Sequence, residues 1–281
     1  MSAWFILSGA LIGLSLGLTG GGGSIIAVPL LIYGLAVEPR EAVGVSLAAV
    51  GATAFFGFLQ RLRRREVEVG TGLLFAATGA VGAPIGTWLN SLVPSGLLLI
   101  GFAVLMLVVS ARMWRKAASQ PAETRVVRAT LDPIPADNSG PVCHRDPEGQ
   151  LQLTSQCGFL LAGLGLITGI LSGLFGVGGG FVIVPALVMF SGMGIHRAVA
   201  TSLMVISLVS VSGVVSYLVA QRPLDMALTT WFAIGGIAGM LIGAFVAKRL
   251  SGPVLQKTFS VAIVAMAAFI IWKQLGGSFA L

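Results

Sequence analysis

The chain has 281 residues, of which 56% are hydrophobic and only 10% charged, with a formal net charge of +7. Soluble proteins carry about 25% charged residues, so this composition cannot form a water-facing surface and excludes an ordinary soluble domain. The basic residues cluster at segment ends, Arg61, Arg63, Arg64 and Arg65 in one group and Arg112, Arg115 and Lys116 in another. That is the pattern of cytoplasmic loops beside anionic lipid, not of a nucleic-acid groove.

In chain order, the first half contains apolar stretches at 3–18, 24–37, 42–60, 69–90 and 96–113. No Lys or Arg precedes Arg40 and no small-x-small site follows a short apolar core, so 3–18 reads as a membrane element rather than a cleaved leader. A polar segment at 116–156, with Pro121, Pro133, Pro135, Pro141 and Pro147, reads as a cytoplasmic linker. Cys143 and Cys157 make no disulfide framework, and Cys143-His144 falls short of a metal site, so both read as ordinary cysteines. The second half has stretches at 158–175, 180–193, 198–220, 226–247 and 254–272.

The halves are repeats. Leu18-Thr19-Gly20-Gly21-Gly22-Gly23-Ser24 returns 156 positions later as Leu174-Phe175-Gly176-Val177-Gly178-Gly179-Gly180, each run five residues before a proline, Pro29 or Pro185. At the same offset Gly9, Gly13 and Gly17 match Gly165, Gly169 and Gly173, Ser46-Leu47 matches Ser202-Leu203, and Gly57 matches Gly213. One inserted residue later, Gly79, Gly82 and Gly86 match Gly236, Gly239 and Gly243.

The expected fold is an all-α polytopic membrane protein of two homologous repeats, 1–115 and 157–281. Each is a re-entrant or broken glycine-rich helix pair followed by three transmembrane helices, because the stretches flanking each glycine run are short for full spans. With the Arg61–Arg65 loop inside, inverted repeats leave three boundary cations outside: Arg40, Arg222 and Lys273. Parallel repeats leave five outside: Arg40, Arg197, Lys248, Arg249 and Lys257. The charges favour inversion.

Each glycine costs a helix about 1 kcal/mol against alanine, so a doubled run implies a purpose. Thr19, Gly20, Gly21, Gly22, Gly23 and Ser24 in one repeat, and Gly176, Gly178, Gly179 and Gly180 in the other, stand where a half-helix opens. Unpartnered amides and the positive end of the helix dipole would hold an anion there without arginine. The alternative is that the glycines only permit packing at a bend. The runs are followed by no Lys-Ser/Thr and are not nucleotide signatures. Gly9/Gly13/Gly17, Gly165/Gly169/Gly173 and Gly235/Gly239/Gly243 have the spacing of close helix contacts and read as packing ladders. Ser46, Thr53 and Gln60 share a helix face, with Ser202 and Ser216 equivalent in the second half and Thr201, Ser207 and Ser210 nearby. These hydroxyls either donate to an anion or bond back to helix backbone. Apart from Arg112 and Lys257 near the ends of their stretches, no Asp, Glu, Lys or Arg lies inside an apolar stretch, so no proton-coupling carboxylate, catalytic group, metal site or cofactor site is expected.

The glycine runs followed by Pro29 and Pro185, the repeated Ser-Leu pair and the two-half layout resemble the sulfite exporter TauE/SafE family, also called the toluene-sulfonate uptake permeases. Gly176-Val177-Gly178-Gly179-Gly180 and Ala200-Thr201-Ser202-Leu203 fit its pattern, whereas Gly44-Val45 stands where the second half has Ala200-Thr201. The resemblance implies transport of sulfite, sulfonates or similar organosulfur anions across a bacterial inner membrane. The expected activity is a secondary transporter, working as an exporter because an interior-negative cell expels anions. Alternatives are an anion channel, a carboxylate transporter with ion-coupled uptake, and a membrane scaffold. The expected partners are the small anion and the lipid bilayer, with the chain a monomer or homodimer.

Overall fold

The computed structural model describes residues 2–119, 155–191, 193–246, 261 and 263–273. The linker between Ser119 and Ser155, with Cys143 and His144, and the cations Lys248, Arg249 and Lys257 lie outside the described residues.

Within them the chain is helical: α1 Ser2–Thr19, α2 Ala27–Pro29, α3 Pro39–Leu62, α4 Val69–Leu92, α5 Ser95–Ser119, α6 Ser155–Phe175, α7 Gly180–Ser191, α8 Ile195–Val219 and α9 Met226–Val246. A further apolar helix, α10, runs Ile263–Lys273. Five described helices are long and apolar enough to cross a membrane: Pro39–Leu62, Val69–Leu92, Gln156–Phe175, His196–Val219 and Met226–Val246. Large apolar side chains such as Trp4, Val81, Trp88 and Phe245 point outward, as a lipid-facing belt requires.

The glycine ladders decide how the helices meet. A Cβ on Gly9, Gly13 or Gly17 of α1 would strike the α9 backbone at Phe232, Gly236 and Met240, while Gly235, Gly239 and Gly243 press on Ile6, Ala10 and Leu14. Gly165, Gly169 and Gly173 of α6 meet Phe75, Gly79 and Ala83 of α4 in the same way. The contacts advance together, so α1 runs with α9 and α6 runs with α4. Each first helix therefore packs on the other repeat, at backbone contact that only glycine permits. Gly44 meets Tyr217 and Gly51 meets Ser210, so α3 and α8 run in opposite directions at the centre.

The offset of 156 reaches into loop geometry. Arg65 and Gln221 both take left-handed φ, 55° and 52°. Glu66 N–H donates to Arg61 O, and Arg222 N–H to Tyr217 O. These are equivalent helix C-caps of the Schellman type.

Two expectations need correction. The first glycine run opens no regular half-helix. It leads into a 3-10 turn at Gly22–Ile26, a short α2, and a π-helical turn at Leu30–Gly34. Pro29 has no amide to donate, which disturbs the helical ladder there. Cys157 is no ordinary thiol; it is disulfide-bonded.

Candidate functional site

Each of α1 and α6 ends on a glycine in the left-handed region, Gly20 at φ 73° and Gly176 at φ 71°. In each case the glycine amide donates four residues back, Gly20 N–H to Leu16 O at 2.7 Å and Gly176 N–H to Ser172 O at 2.8 Å. Only glycine takes this cap without steric strain. The breaks then converge: a Cβ on Gly21 would sit 2.5 Å from the Gly180 backbone, and one on Gly180 would sit 2.6 Å from Gly21 Cα.

Ser46 and Ser202 lock the breaks crosswise. Ser46 Oγ donates to Gly176 O at 2.6 Å, and Ser202 Oγ donates to Gly20 O at 2.7 Å. Both serines are fully buried. Each repeat's central helix thus holds the other repeat's glycine corner. Because these protons go to carbonyls, Ser46 and Ser202 position the breaks and have no proton left for an anion.

The other sequence-predicted residues divide. In the first break Thr19 Oγ1 donates to Ser15 O and accepts from Gly23 N–H, while Ser24 Oγ donates to Gly21 O. These side-chain bonds all lie within the first break. Gly23 packs against Ser15 and Leu16, and Gly22 lies in the 3-10 turn. In the second break Gly178 and Gly179 have φ of 67° and 70°. Gly179 O caps α7 by accepting from Val182 and Ile183 N–H. The Gly178 and Gly179 amides have no hydrogen-bond acceptor among the described residues. Two predicted residues face elsewhere: Thr53 bonds back to Ala49 O and packs on Gly236, and Thr201 accepts from Glu68 N–H at the α3–α4 turn.

Gly178 faces Val50, Ile206 and Ser210, and Val50 and Ile206 are themselves equivalent positions of the two repeats. The small void nearby, lined by Ile12, Leu16, Ala49, Val50 and Thr53 among others, has no room for a water molecule. At Gly21 and Gly180 the two breaks are in direct backbone contact.

The sequence marked Arg222 only as a boundary cation. Its guanidinium donates to Thr87 O at 3.0 Å and Asn90 Oδ1 at 3.3 Å, at the C-terminal end of α4 where a cation suits the helix dipole. Asn90 in turn donates to Leu174 O, two residues before Gly176. The signal available was an arginine in a short loop following an apolar segment.

The family described as sulfite exporter TauE/SafE has a model that matches residues 5–270. A probable membrane transporter protein of Xylella fastidiosa (strain 9a5c) is 32% identical over 271 residues, covering 95% of this chain and 94% of the relative. Probable membrane transporter protein YunE of Bacillus subtilis (strain 168) is 26% identical over 278 residues, covering 95% and 92%. No solved structure matches the chain.

Proposed function

We propose, from the premise that the chain belongs to the sulfite exporter TauE/SafE family, that it is a secondary transporter exporting small organosulfur anions such as sulfite or sulfonates across a bacterial inner membrane. The anion is held at the glycine breaks by peptide amides. The observation that carries this reading is the meeting of Gly21 with Gly180 at two left-handed breaks, one of which keeps the unpartnered amides of Gly178 and Gly179. Unwound backbone inside a membrane protein is tolerated where it is buried by protein or lines a ligand path.

The repeats are inverted in this reading. The opposed directions of α3 and α8 support it, as does the exchange of partners between α1–α9 and α6–α4. Such a pair can trade conformations, and the contact of Gly21 with Gly180 is read here as the occluded state between outward and inward openings. Moving one negative charge out through 100 mV releases about 2.3 kcal/mol, roughly a 50-fold concentration ratio, so export needs no coupled proton.

The test is flux in liposomes reconstituted with the purified chain. Saturable, voltage-dependent sulfite or sulfoacetate movement, stimulated by counter-substrate, supports an exporter. Unitary currents indicate a channel, and flux indifferent to voltage removes electrogenic export.

A further inference from the structure

Resting on the reading that the breaks hold an anion, we propose that the second break alone is the binding half, with the Ser210 hydroxyl and the Gly178 and Gly179 amides donating to one small oxyanion.

The repeats differ where it matters. In the first break Thr19 Oγ1 takes the Gly23 amide and Ser24 Oγ donates to Gly21 O. Their equivalents at 156 residues on are Phe175 and Gly180, which have no polar side-chain atom. The second break therefore has no hydroxyl of its own at these positions to take the Gly178 or Gly179 amide. Ser210 lies on α8, only 1% exposed, and its Oγ has no hydrogen-bond partner. Native proteins rarely leave a buried hydroxyl so. That oxygen stands 3.8 Å from where a Gly178 Cβ would be, between the second break and Gly51 of α3. The first repeat has Ala54 at the matching position, so no second hydroxyl completes a mirror site. Among the described residues the other unpartnered buried hydroxyl, Ser172, is also in the second repeat, on the last turn of α6 before this break, where the first repeat has Leu16.

Three neutral donors, with Val50 and Ile206 packed against Gly178, suit a compact oxyanion with several acceptor oxygens. Val50 and Ile206 must part for it to enter.

The experiment compares wild type and Ser210→Ala in proteoliposomes, using sulfite, sulfate, sulfoacetate and acetate, with unfolding temperature measured in parallel. The variant is expected to raise KM for the transported anion about tenfold or more, the loss of one hydrogen bond to a charged group. Its unfolding temperature stays the same or rises, because no existing bond is removed. An unchanged KM in a variant facing an active wild type overturns this inference and leaves the anion reading standing. A KM change accompanied by a lowered unfolding temperature assigns Ser210 a structural role and also overturns it. A wild type that moves none of the four anions removes both.

Discussion

Removing either crossed serine tests whether the breaks are held from the opposite repeat. Ser46→Ala leaves the Gly176 carbonyl without the hydroxyl now 2.6 Å away, and Ser202→Ala does the same to Gly20 O at 2.7 Å. Both serines are 0% exposed, so no water replaces the lost donor. An orphaned buried carbonyl costs about 1–3 kcal/mol. With about 2–4 °C of unfolding temperature per kcal/mol in a large domain, each single variant should unfold roughly 2–12 °C lower in detergent. Ser202 Oγ also lies 2.9 Å from Val199 O of its own helix. Part of its proton is already shared, so Ser46→Ala should be the larger loss. Either variant melting at the wild-type temperature would refute the crossed-lock reasoning.

Gly239→Ala should separate α1 from α9, since its Cβ would overlap Ala10 O in the neighbouring backbone, whereas Gly70→Ala, with nothing within 4 Å, should be neutral or raise the melting temperature. Thermal melts of the pair check this. Arg222→Gln should lower stability by about 1 kcal/mol, because a half-exposed guanidinium loses its bonds to Thr87 O and Asn90 Oδ1; an unchanged melt contradicts it. Maleimide should label no cysteine in denatured, unreduced protein and should label it after reduction, since Cys157 is bridged. The parallel course of α4 and α6 puts Cys157 at the same end of the bundle as the Arg61–Arg65 turn. The arginines predict a cytoplasmic face there, although disulfides persist in oxidising compartments. Membrane-impermeant maleimide should therefore fail to label Arg64→Cys in intact cells; labelling from outside would reverse the assigned orientation.

The repeat was legible because equivalent backbone corners demand equivalent glycines: Gly20 and Gly176 share a left-handed cap, and the ladders face backbone that tolerates no side chain. Apolar stretches also placed the helices, with Pro39 opening α3 and Gly180 opening α7 close to the apolar limits. Other features were hidden. Offset matching treats the two runs as equal, but Thr19 and Ser24 bond within the first break, and Phe175 and Gly180 give the second no such hydroxyls. Nothing in a seven-residue spacing says whether a hydroxyl aims at a ligand or a carbonyl, so both readings stood for Ser46 and Ser202, whose hydroxyls bond Gly176 O and Gly20 O. Whether two breaks enclose space depends on side chains far apart in sequence, here Val50 and Ile206. The bridge at Cys157 left no spacing signal at all, with a single other cysteine in the chain.

Equilibrium binding of radiolabelled sulfite to the purified protein tests most directly whether peptide amides hold the anion. It should be run on wild type and on Gly179→Val, a position at φ 70° with an unpartnered amide. The account predicts saturable binding, competed by unlabelled sulfoacetate, that disappears in a variant still folded and monodisperse. Undiminished binding in that variant, or none in the wild type with any oxyanion, would contradict it.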